Sequence, residues 1–129
     1  MTLINEKILK HDGLIGNVVW TNLNSTSTFG EQTININLSN YSKCEIVYTY
    51  SIDNKIYEIS TGKLDIGTSH KELTHEWLSG LGECLIFRNA NIQNSSVNFA
   101  NCYPVKLSDG SITTTANDFL IPFKIIGYK

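Results

Sequence analysis

The chain has 129 residues, of which 41% are hydrophobic and 17% charged, and it carries a formal net charge of −2 at pH 7; that length suits one domain around one core, with no metal or disulfide staple required. Nine of the ten basic residues are lysine, Arg88 is the one arginine, and no basic run occurs, so the concentrated basic face that nucleic acid requires is absent from the pattern. No stretch approaches the ~20 apolar residues that span a bilayer, and the opening MTLINEKILKHDG lacks the apolar run of a signal peptide, so the expectation is a soluble chain without membrane insertion, outside the ordinary secretory route.

Read from the amino terminus, Asn17–Asn22 places Val18, Val19 and Trp20 in a first strand. Gln32–Leu38 alternates strictly, with Ile34, Ile36 and Leu38 on one face and Thr33, Asn35 and Asn37 on the other. That period of two marks a strand with one buried side. Cys44–Ile52 is rich in β-branched and aromatic residues, Asp53-Asn54 interrupts it, and Lys55–Ser60 resumes. Both interrupting residues tolerate positive φ, so the pair predicts a β-hairpin. Shorter candidates are Lys63–Ile66, Glu83–Arg88 ending at Asn89, Ser95–Ala100 ending at Asn101, and the long apolar run Phe119–Tyr128. Pro122 cannot donate to a ladder, which predicts an edge, a strand start or a bulge there. Trp20, Phe87, Phe99, Phe119 and Phe123 are expected in the core.

Ser69–Ser79 reads differently. Leu73, Trp77 and Leu78 have helical spacing, and Ser69 followed by Glu72 resembles a capping box. The expectation near 69–79 is a short helical excursion or an irregular loop covering one sheet, too short to be a stable helix alone. Seven to nine short strands around it predict an all-β fold, an antiparallel, jelly-roll-like β-sandwich; a small barrel would pattern similarly. The sandwich occupies residues 17–129. Residues 1–16, with Leu3, Ile4, Ile8 and Leu9 among charges, stand before it as an expected attachment or oligomerisation segment.

Signs of catalysis are weak. The three histidines are His11, His70 and His75; the zinc-peptidase HExxH pattern is absent, and the neighbours His75-Glu76 are a generic polar pair. No GxSxG elbow and no phosphate-cradling GxxxxGK occurs, and Ser79-Gly80-Leu81-Gly82 reads as a turn. Cys44, Cys84 and Cys102 are odd in number and widely spaced, a pattern that fits buried free thiols better than disulfides or a zinc site. No catalytic residue, metal ligand or cofactor is expected, and the chain is not expected to be an enzyme. The candidate surface-binding residues are Trp77 and Tyr103, read as lying in irregular regions, together with His75. An exposed aromatic ring there would stack on a sugar, whereas the plainer reading is packing under a loop.

Two stretches carry a resemblance. Val19–Thr33 reads VWTNLNSTSTFGEQT and Ala116–Lys129 reads ANDFLIPFKIIGYK. Through Trp20, Thr21, Asn22, Ser25–Phe29, Gln32, Thr33, Ile121, Pro122, Phe123, Lys124, Ile125 and Gly127 they resemble the opening and close of a small domain found in fibre and minor structural proteins of phages and prophages of Gram-positive bacteria. The middle is similar too, in the strand Glu45–Tyr50, in Arg88 and in Val97–Phe99. The resemblance implies a β-sandwich located in the virion, a trimer, partners among other virion proteins, and contact with a host-surface glycan through loops such as Ser69–Gly82 and Asn89–Ser96. Because that domain usually closes a longer protein and some 16 residues precede it here, head decoration or a tail-tip accessory is expected ahead of a long fibre. The alternative is a free carbohydrate-binding module; a cell-wall hydrolase ranks third.

Overall fold

Side chains alternate inward and outward most clearly along residues 69–78 and 82–92 of the computed structural model, which describes residues 16–129. Among the described residues there are nine strands: β1 (Gly16–Thr21), β2 (Gln32–Asn35), β3 (Lys43–Ile52), β4 (Lys55–Ser60), β5 (Leu64–Asp65), β6 (Ser69–Leu78), β7 (Gly82–Ile92), β8 (Ser96–Lys106) and β9 (Ile121–Tyr128). The expected attachment segment, with His11, lies outside the described residues apart from Gly16.

Two antiparallel sheets pack face to face. Sheet A has the order β1-β9-β3-β4, with β5 also on β3, and sheet B has the order β2-β8-β7-β6. Strands early in the chain thus pair with strands late in it, β1 with β9 and β2 with β8, the rolled-up pairing of a jelly roll. The hairpins β3–β4 and β6–β7 fill the other ends. At the first hairpin Asp53 and Asn54 have φ of 53° and 63°, the double left-handed geometry of a two-residue type I′ turn.

Ile46, Tyr48 and Ile125 from sheet A meet Ile86, Phe99 and Cys102 from sheet B, all fully buried. Phe99 is the hub, with ring centroids 5.6 Å from Phe29, 6.2 Å from Tyr48 and 6.4 Å from Trp20. The Phe29 and Tyr48 rings meet it edge to face, as ring quadrupoles favour. Burying one such side chain contributes about 1.5–3 kcal/mol. Cys44, Cys84 and Cys102 are free and buried. Burial pushes the Cys44 thiol up to about 11 and that of Cys102 up to about 12, because a thiolate would have to form away from water.

Four expectations need correction. Residues 69–78 are neither helix nor irregular loop; they form β6, paired with β7 over its whole length. The helical spacing of Leu73, Trp77 and Leu78 arises from a strand whose polarity is inverted: His70, Glu72, Thr74 and Glu76 point inward and Lys71, Leu73, His75 and Trp77 outward. β6 ends the strand order of sheet B, and inward-pointing charge at such an end discourages pairing with foreign strands. Glu72 caps no helix and instead lies 3.0 Å from His70 Nε2. Second, β7 continues past Asn89 to Ile92, and β8 continues past Asn101 to Lys106. Third, Trp77 and Tyr103 therefore sit on strands, and Asn89–Ser96 is mostly strand rather than an open loop. Fourth, Phe87 and Phe123 lie outside the core cluster. Phe123 is the extra residue of a bulge in β9, where Val47 pairs with Lys124 and Tyr48 with Pro122. That bulge is also how Pro122 fits a strand bonded on both sides.

The inner row of β7 is Cys84, Ile86, Arg88, Ala90 and Ile92, all fully buried. Arg88 is held by main-chain carbonyls: its Nε donates to Leu120 O at 2.8 Å, Nη1 to Ala100 O at 2.7 Å and Nη2 to Phe119 O at 3.3 Å. The Phe29 ring lies 5.5 Å from its guanidinium carbon, a cation–π contact. Among the described residues no carboxylate pairs with it. Two local features make this clamp. A bulge in β8 sets Ala100 and Asn101 opposite Asn89 alone, which exposes the Ala100 carbonyl to Arg88 and keeps Phe99 and Cys102 both facing inward. Leu120 takes a φ of 46°, a left-handed conformation uncommon outside glycine, and its carbonyl accepts from the guanidinium. Asn117 completes the attachment, its Oδ1 accepting from Cys102 N at 2.8 Å.

Candidate binding face

The outward rows of sheet B follow from its register. Leu73 pairs with Phe87 and Phe87 with Tyr103; His75 pairs with Leu85 and Leu85 with Val105; Trp77 pairs with Glu83. With strands about 4.8 Å apart and successive outward residues about 6.8 Å apart, Leu73 to Trp77 spans ~13 Å of an almost flat surface. Trp77 is 74% exposed, Leu73 48% and Leu85 36%. Phe87 and Tyr103 lie with ring centroids 5.8 Å apart, and Lys71 Nζ caps the Phe87 ring at 4.8 Å. The three candidates singled out from sequence, His75, Trp77 and Tyr103, therefore share one face. An exposed set of apolar side chains of this kind is a candidate contact surface.

Polar groups edge the face. His75 Nε2 is 3.8 Å from a Glu83 carboxylate oxygen, with both side chains more than half exposed. Leu107 N donates to Glu83 O at 3.0 Å, which brings the segment after β8 alongside the β6–β7 turn. Between them lies an open cleft of about 440 Å³, lined by Trp77, Leu81, Gly82, Glu83, Leu107 and Ser108. Gly82 has φ of 78°, and a Cβ built on it would stand 4.0 Å from the Trp77 ring. The edge of the indole thus lies beside a residue that adds no side chain to the cleft.

Leu73, Leu85, Phe87, Lys71 and Glu83 were not singled out from sequence. Reading 69–78 with a period of two would have grouped Leu73, His75 and Trp77. The second row needs the β6–β7 register. His75 makes its close polar contact with Glu83 across the hairpin rather than with its neighbour Glu76, which points inward and accepts from Thr74 Oγ1 at 3.1 Å. Among the described residues no group of three or more His, Cys, Asp and Glu is arranged to hold a metal ion, and no helix is long and apolar enough to cross a membrane.

The family-like residues fall elsewhere. Trp20 packs beside Phe29 and Phe99. Asn22 ties the two ends of the chain together, its backbone N donating to Phe123 O at 2.7 Å and its Nδ2 to Pro122 O at 2.8 Å. Thr21 pairs with Lys124 on β9, and Gln32 with Phe99 on β8. Thr33 Oγ1 accepts from Asn98 Nδ2 at 2.7 Å. Ile121 and Pro122 are buried, and Lys124 Nζ stands 5.2 Å from the Phe123 ring centroid. At Gly127 an added Cβ would lie 2.6 Å from the Tyr41 ring, so the close approach itself demands glycine. These residues mostly hold the sandwich together; Thr33, paired with the exposed Asn98, is the one that lies on the outer side of sheet B. Comparison with family models, curated proteins and solved structures returned no match for the chain.

Proposed function

We propose that this chain is a non-catalytic binding domain of a bacteriophage or prophage virion, of head-fibre, tail-fibre or capsid-decoration type, and that it contacts its partner through the outer face of sheet B. The observation that carries the virion reading is the meeting of its two family-like stretches. Asn22 and Pro122, a hundred positions apart, are bonded directly, so the stretches act as one structural unit in the way a shared domain signature would. The contact surface rests on the convergence of Leu73, His75, Trp77, Leu85, Phe87 and Tyr103 on one rigid, strand-borne face. Loops usually carry such recognition on a fixed scaffold; here a sheet supplies both scaffold and surface. Other virion proteins and a host-surface glycan are the partners in this reading, and the assembled form is a trimer.

The test has two parts. Light scattering of the purified chain is expected to give three times its 14.4 kDa mass. Mass spectrometry of purified particles from an induced Gram-positive lysogen encoding the chain is expected to find it in the virion. Its absence from particles would overturn the virion assignment.

A free carbohydrate-binding module is the second reading, favoured by the exposure of Trp77 beside a cleft. A monomer that is missing from particles yet binds glycan would select it.

A further inference from the structure

The geometry points to a subsite for a neutral pyranose ring in the cleft between the β6–β7 turn and the segment after β8, with Trp77 as its stacking platform. This rests on the reading above that the outer face of sheet B is the contact surface, and it names the chemistry recognised at one end of it. Three features argue for it. Trp77 is 74% exposed at the rim of the 440 Å³ cleft, a volume in the range of small-ligand sites. The edge of its ring lies beside Gly82, which adds no side chain to the cleft, and Leu81 and Leu107 add an apolar wall. A sugar ring has an apolar C–H face that suits an indole and a rim of hydroxyls that requires hydrogen-bond partners.

The cleft supplies those partners. The Glu83 carboxylate accepts from hydroxyls, and a carboxylate can accept two at once. The Ser108 hydroxyl can donate or accept. His75, 3.8 Å from Glu83, faces the carboxylate from the neighbouring strand. The charge of the floor selects among sugars. A carboxylate in the cleft repels uronic acids and phosphate-bearing polymers, so the ring it accommodates is uncharged.

The test is NMR on the ¹⁵N-labelled full chain. It contains two tryptophans, so two indole N–H resonances report, Trp77 from the cleft and Trp20 from the core. Glucose, galactose and N-acetylglucosamine are titrated, with glucuronate and glycerol phosphate as anionic controls. At least one neutral sugar is expected to move the Trp77 resonance saturably, with a dissociation constant on the order of 1 mM, while Trp20 stays still. Glu83→Gln is expected to weaken that binding about tenfold, the scale of a charge-assisted hydrogen bond reduced to a neutral one. Trp77→Ala is expected to abolish the sugar-induced shifts around the cleft, with the Trp20 resonance certifying the fold. No shift of Trp77 with any neutral sugar, equal shifts with the anions, or unchanged affinity in Glu83→Gln would each overturn the subsite. If the subsite fails while the chain is still found in virions, the proposed function stands; absence from virions with sugar binding intact separates the two in the other direction.

Discussion

Each face of β7 carries residues that its side of the sheet does not ordinarily favour. Its inner face holds Arg88, the chain's one arginine, fully buried between Ile86 and Ala90, while its outer face offers Leu85 and Phe87 to the surface beside the exposed Trp77 of β6. The difference teaches which interaction governs each side. Inside, a guanidinium is tolerated because three carbonyls and an aromatic ring replace its water; burial lowers its pKa, yet an arginine remains charged in a protein. Outside, apolar side chains remain exposed without loss of the fold, and an exposed contiguous set of them is a surface suited to contact.

The largest effect that breaks the comparison is expected at Arg88. Arg88→Ala removes the clamp and leaves three carbonyls unpaired around a cavity, a loss of about 4 kcal/mol or more. Arg88→Lys should recover little of it, because an ammonium cannot reproduce the planar fork. Denaturant midpoints check this, and a loss under about 1 kcal/mol for Arg88→Ala would mean that the clamp is not structural.

Next comes the alkaline limb. The unfolded thiols lose their protons near 9.0, whereas burial holds the proton of Cys44 up to about 11 and that of Cys102 up to about 12. A group whose folded pKa is raised contributes its stability in full below the unfolded value and loses it as pH climbs through the folded one. Stability is therefore expected to fall between about pH 9 and 12, and the fall should be shallower in Cys44→Ala/Cys102→Ala. Urea midpoints that stay constant from pH 8 to 11 would contradict the burial of these thiols.

Tyr48 gives a smaller and opposite effect. Among the described residues its buried hydroxyl has no hydrogen-bond partner, so Tyr48→Phe removes an unsatisfied group while keeping the ring beside Phe99. A gain of up to about 1 kcal/mol in thermal or chemical unfolding is expected; a clear loss would reveal a partner for that hydroxyl.

The smallest expected change in stability is at Trp77. Trp77→Ala should shift unfolding by no more than ~0.5 kcal/mol while removing binding at the cleft, which makes it the counterpart of Arg88 on the other side of the sheet. A loss of several kcal/mol would assign Trp77 to packing instead.

The strict alternation of Gln32–Leu38 and the hairpin around Asp53-Asn54 were legible because one apolar row and a pair of residues tolerant of positive φ leave a single local solution, although the first of these strands stops at Asn35. The surface candidates were half legible: His75, Trp77 and Tyr103 are types that contact ligands, yet nothing local brought them together. β6 was misread because a strand at the limit of its sheet has no need of an apolar inner face, and its outward Leu73 and Trp77 happen to fall at helical spacing.

Sequence by itself determined the all-β class and the turn between β3 and β4, since each depends on residues within a few positions or on composition. Only the tertiary structure decided that the inner row of β7 can hold a buried arginine. The inner row Cys84, Ile86, Arg88, Ala90 and Ile92 is apolar except for Arg88, the one residue that local hydrophobicity would put outside. The bulge in β8 and the carbonyls of Ala100, Phe119 and Leu120, far along the chain from Arg88, hold its charge inside. A buried charge is stable only where distant backbone supplies its hydrogen bonds, and that supply exists only once the chain has folded.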